Sequence, residues 1–129
     1  MKKDINFRPV EGVTLTVAKI EDDWQVYLLN RSDKKLDTIF VTSKGYGEKD
    51  GEEQKTSTLR HAIPFLEPGM YAKIETIQSA VFHLTNEYWL SYYIGDQIYD
   101  KKFLFVPDSI VEDNLVEIPE LGAQGVLHD

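Results

Sequence analysis

The sequence predicts an all-β fold: a single antiparallel β-sandwich, or a flattened barrel, of about seven to nine strands spanning one domain, residues 1–129. Three observations point there. Short runs rich in β-branched and aromatic residues follow one another along the chain. Turn-forming residues separate these runs at close intervals. No window of useful length repeats its apolar residues at helical spacing.

The elements are read in order. VTLTVAKI (13–20) sets Val13, Leu15 and Val17 against Thr14, Thr16 and Ala18, the period of a half-buried strand. WQVYLLN (24–30) follows the acidic turn Glu21–Asp23, and LDTIFVTS (36–43) follows the polar stretch NRSDKK. KGYGEKDGEEQK (44–55) reads as a polar tip joining two strands, with TSTLRHA continuing after it. Pro68-Gly69 suits a type II turn, because proline presets the first torsion and glycine accepts the second. MYAKIETIQ (70–78), AVFHLT (80–85), EYWLSYYI (87–94) and IYDKKFLFV (98–106) are further strand runs. Ser109 and Glu112 have capping-box spacing, so at most one short helical turn is expected near 109–113, before Pro119.

YYIGDQIY predicts a hairpin with Gly95-Asp96 as a type II′ turn. That register pairs Ile94 with Gln97, Tyr93 with Ile98 and Tyr92 with Tyr99. Opposed residues share a face. One face then carries Tyr88, Leu90, Tyr92, Ile94, Tyr99, Phe103 and Phe105, interrupted by Lys101, and reads as core. The other carries Trp89, Ser91, Tyr93, Ile98, Asp100 and Lys102. It is either buried against a second sheet or presented to solvent.

Composition narrows the function classes. The 129 residues, 42% hydrophobic and 12% aromatic, suffice for a core without staples. There is no cysteine, hence no disulfide, thiolate zinc site or cysteine nucleophile. The opening residues hold no apolar run of signal-peptide length, and no stretch approaches ~18 apolar residues. A cytoplasmic protein without membrane partners is expected. A net charge of −8 with scattered basic pairs argues against nucleic acid.

The glycine-rich segment is not a phosphate loop. Gly45, Gly47 and Gly51 are spaced one residue too far, no helix follows, and Glu48, Asp50, Glu52 and Glu53 repel phosphate. Nor is it an EF-hand loop. With Gly51 at the sixth position, Tyr46 and Ser57 would occupy ligand positions that need acids. His61, His83 and His128 have no close metal-ligand spacing. Ser57 and His61 on one strand lie about 13–14 Å apart, too far to form a nucleophilic pair. No catalytic residue, cofactor or metal is therefore assigned.

Two binding surfaces are predicted. The first gathers Lys44, Tyr46, Thr58, Arg60 and His61 around the base of the 44–55 tip, where cations and an aromatic could hold an acidic partner. The second is Trp89, Tyr93 and Lys102 on the mixed hairpin face, suited to anchoring a protein or stacking on a sugar. The expected function is a non-catalytic binding or scaffolding module for a protein partner. A carbohydrate or small-ligand module is the alternative, and exposed sheet edges allow a homodimer.

At TSKGYG, TSTLRHAIPFLEPGMYAKIE and YDKKFLFVPDSI the chain resembles a family of short bacterial proteins of similar length, some labelled phenylalanyl-tRNA synthetase alpha subunit. The label implies an accessory link to translation. The chain departs from it in lacking the glycine-rich, arginine-ending ATP motif of such synthetases. VYLLNRS and the strands after it are more loosely similar to the β-sandwich domain found beside small MutS-related (Smr) domains. That similarity implies a sandwich in an accessory, non-catalytic role.

Overall fold

The computed structural model describes residues 11–129. The opening residues 1–10, read above for an apolar leader, lie outside the described residues. Among the described residues ten strands form: β1 (Val13–Ile20), β2 (Asp23–Asn30), β3 (Leu36–Lys49), β4 (Glu52–Lys55), β5 (Leu59–Leu66), β6 (Tyr71–Ile77), β7 (Thr85–Ile94), β8 (Gln97–Phe105), β9 (Val116–Ile118) and β10 (Ala123–His128). The first sheet has the order β6-β2-β1-β10-β9. The second has β4-β3-β7-β8, with β5 also paired to β3. Every pairing is antiparallel, and neither sheet closes on itself. The all-β sandwich stands.

The core lies between the sheets. β1 and β2 contribute Val13, Leu15, Val17, Val26 and Leu28, while the second sheet contributes Ile39, Val41, Tyr88, Leu90, Tyr92 and Phe103. The hairpin register is the predicted one, with Ile94 opposite Gln97 and Tyr92 opposite Tyr99. Gly95 takes φ +59° while Asp96 stays out of the positive region, as a type II′ turn requires. The Tyr92 and Tyr99 rings stack with centroids 5.6 Å apart, and Tyr88 meets Phe105 edge-on at 6.1 Å. Lys101, which interrupted this face, donates its Nζ to the carbonyl of Val13 at 2.8 Å and ties β8 to the opposite sheet. Burial pushes its pKa down.

Several local expectations change. β1 is not half-buried: residues 13–18 are buried on both faces, as befits the central strand of its sheet. β3 runs on through KGYGEK, and the tip shrinks to the two-residue turn Asp50-Gly51, both at positive φ. AVFHLT is not a strand. Its start is a 3-10 turn (Ser79–Val81), and Phe82 packs edge-on to Trp24 at 5.5 Å. The turn expected near 109–113 is a 3-10 turn at Glu112–Asn114, and another covers Pro119–Leu121. Ser109 does not cap it. Its hydroxyl instead donates back to the carbonyl of Val106 at 2.7 Å, a local bond that competes with capping. β9 and β10 follow it, short strands with too little alternation to be read as strands from the sequence.

β10 passes very close to β1. A Cβ built on Gly125 would overlap Thr16 Oγ1 and lie 3.1 Å from Ala18 Cα and from the Val17 carbonyl. Two of these obstacles are backbone and cannot turn aside. Gly125→Ala is therefore expected to cost about 2 kcal/mol through overpacking, read as a lower midpoint in urea unfolding.

Candidate functional site

The second sheet places the predicted residues by strand parity. Along β3 the odd positions 39, 41 and 43 point into the core, and the even positions 40, 42, 44 and 46 point out. Thr42 pairs with Arg60 on one side and Trp89 on the other, and Trp89 pairs with Lys102. Arg60, Thr42, Trp89 and Lys102 thus form one rung across four strands of the outer face. The next rung is Ala62, Phe40, Ser91 and Asp100, and on the other side Lys44 faces Glu87, which faces Leu104.

The two predicted surfaces are therefore one. Lys44, Tyr46, Arg60, Trp89 and Tyr93 share the outer face, and Trp89 is 45% exposed, so this face is not buried against the other sheet. Phe40, Tyr93, Ile98 and Leu104 are exposed beside it. Lys102 Nζ sits 4.9 Å from the Trp89 ring centroid, a cation–π contact. Glu87, nearly buried, accepts from Tyr46 OH at 3.0 Å and pairs with Lys44 at 3.8 Å. Burial, then the bond to Glu87, pushes the Tyr46 phenol up. Arg60 makes no ion pair with a described residue. Thr58 is exposed just before β5, off the rungs.

His61 is not part of that surface. It lies opposite the buried Val41, so its imidazole points inward with the odd positions of β3. There it meets a carboxylate that sequence reasoning missed. Glu75 Oε1 accepts from Ser43 Oγ at 2.9 Å and from His61 Nε2 at 2.8 Å, and Oε2 accepts from Tyr88 OH at 2.9 Å. Burial above all, and then Glu75, drive the Tyr88 phenol far up.

A β-bulge places Glu75. Lys73 pairs with Tyr27 and Glu75 pairs with Val26, which leaves Ile74 as the extra residue. Simple alternation would put Glu75 on the same side as the exposed Lys73. The inserted residue turns it to the inward side, beside the fully buried Val26, where its side chain is 13% exposed. Three donors from the second sheet thus converge on one acid from the first.

Glu75, Ser43 and Tyr88 line a cleft of about 200 Å³ between the edge strand β6 and the second sheet, walled by Leu59, Ile77 and Val81. Ser43 and His61 both bond the carboxylate, so the acid stands where a hydrolytic relay needs the imidazole. Among the described residues no three His, Asp or Glu side chains gather as a metal site, and no helix is long and apolar enough to cross a membrane. No family model, curated protein or solved structure matches the chain.

Proposed function

We propose that the chain is a cytoplasmic, non-catalytic binding module that captures a protein partner on the outer face of its second sheet. The observation that carries this reading is the Arg60–Thr42–Trp89–Lys102 rung, an exposed indole with Lys102 on the adjacent strand and Arg60 two strands away across Thr42. With Phe40, Tyr93, Ile98 and Leu104 around it, the face joins apolar area to positive charge on a chain of net charge −8. Trp, Tyr and Arg are the residues most enriched among binding hot spots. The complementary partner is an apolar segment with acidic flanks, its acids meeting Arg60 and Lys102. Protein is favoured over sugar because Lys102 already covers the indole ring that a sugar would need. The placement of Ser43 and His61 on a shared carboxylate supports a non-catalytic role.

The test is capture on immobilised protein with a Trp89→Ala/Arg60→Ala variant beside the native chain. Both side chains are exposed, so folding is expected to survive, and retention of a specific protein band should fall at least tenfold. Capture should also weaken as salt rises. Undiminished capture by the folded variant would overturn the assignment. A glycan array that responds to the native chain but not to Trp89→Ala would replace it with the sugar reading. Sedimentation showing a concentration-dependent dimer lost in the variant would identify the partner as a second copy.

A further inference from the structure

We propose that the cleft over Glu75 is a binding site for a primary alkylammonium group, separate from the outer-face surface. Of the described residues lining it only Lys44 and Glu75 carry formal charge, and the Lys44 ammonium is turned away to Glu87. Glu75 is the acid that the cleft presents. Its Oε1 already accepts two hydrogen bonds, while among the described residues Oε2 accepts one, from Tyr88, and keeps an open position. The neighbouring polar groups add acceptors. Asn86 donates both N–H bonds to the carbonyls of Val81 and Leu84, at 3.0 and 3.3 Å, and its Oδ1 stays beside Gly45 in the cleft wall. Ser57 lines the mouth, while the Thr56 hydroxyl there is taken up by the Gly45 amide at 2.7 Å and the Ser57 carbonyl at 2.9 Å.

An ammonium has three N–H donors and no acceptor, which matches this set. An anion would meet the Glu75 carboxylate at short range, and a neutral alcohol would bring no charge to it and a single donor. A volume of about 200 Å³ holds some six or seven waters at ~30 Å³ each, space for a short aliphatic chain against Leu59, Ile77 and Val81. The bulge at Ile74 supports the assignment from the backbone. It is a local irregularity whose effect is to turn one acid into the space between the sheets, and bulges commonly re-aim a side chain beside a functional site.

The ammonium could belong to a free amine or to a lysine of a protein, and the experiment separates them. The 15N-labelled chain is titrated with n-butylammonium chloride, n-butanol and sodium butyrate at equal ionic strength, and with the peptide acetyl-Gly-Lys-Gly-amide. Saturable shifts of the Gly45, Ser57 and Glu75 amides are expected with butylammonium and not with butanol or butyrate. Tighter binding of the peptide assigns the site to a lysine side chain, and weaker binding assigns it to a free amine. Glu75→Gln should weaken butylammonium at least tenfold. Ser57→Lys, at an exposed position, folds independently of the carboxylate network and places a tethered ammonium at the mouth, so it should weaken the ligand likewise. Equal shifts with butanol, or undiminished binding in folded Glu75→Gln, would overturn the proposal. Should Glu75→Gln fail to fold, undiminished binding in Ser57→Lys would overturn it.

Discussion

Glu75→Ala is expected to destabilise the fold by about 3 kcal/mol, one of the two largest single-site losses we foresee. The substitution removes the acceptor for Ser43, His61 and Tyr88 together. Each donor is fixed on the inward face of the second sheet, and Tyr88 is 2% exposed, so its hydroxyl has little water to turn to. A buried donor left unpaired costs more than the bond it made, because its desolvation is no longer offset. Because the donors and the acceptor sit on opposite sheets, the loss also loosens the contact between the sheets. Urea unfolding measures it. Tyr88→Phe removes one donor and leaves the acid with two, and should cost only about 1 kcal/mol. Equal losses for the two variants would show that Glu75 is not the hub of the network.

Asn30→Ala should cost a comparable ~3 kcal/mol, for the same physical reason, where β2 ends. Asn30 has no solvent exposure. Its Nδ2 donates to the carbonyls of Lys34 and Leu66 at 2.8 and 2.9 Å, and its Oδ1 accepts from the Ser32 amide and hydroxyl at 3.1 and 2.6 Å. One side chain thus satisfies the turn between β2 and β3 and the end of β5. Alanine leaves two carbonyls and two donors to find other partners. Asn30→Asp is the sharper comparison, since the isosteric acid keeps the acceptor and loses both donors. It should be at least as damaging near neutral pH, where a buried carboxylate would face two carbonyl oxygens. A midpoint within 0.5 kcal/mol of the native value, about the scatter of neutral surface changes, would refute the role assigned to Asn30.

Strand parity explains why the outer face of the second sheet was half legible. In TIFVTSKGY the alternation already separates Ile39, Val41 and Ser43 from Phe40, Thr42, Lys44 and Tyr46. The Gly95-Asp96 turn likewise fixes which residues share a side with Trp89. What could not be read is that these two outer faces adjoin, because β3 and β7 are some 40 residues apart in sequence and pair only through long-range hydrogen bonds. His61 was misplaced with Arg60 for a related reason. Adjacent strand residues point to opposite faces, and the choice of face belongs to the sheet rather than to the residue.

The class of fold, the hairpin register and the core face of β7 and β8 were legible in the chain, because period-two patterning and turn chemistry act over a few residues. Long-range pairing and packing set the rest: Trp89 is exposed beside Lys102 with Arg60 two strands away, and Glu75 turns inward to Ser43, His61 and Tyr88. A bulge leaves no mark in composition. It arises where β6 must fit β2 and the opposing sheet together, and that fit is set by packing across the sandwich.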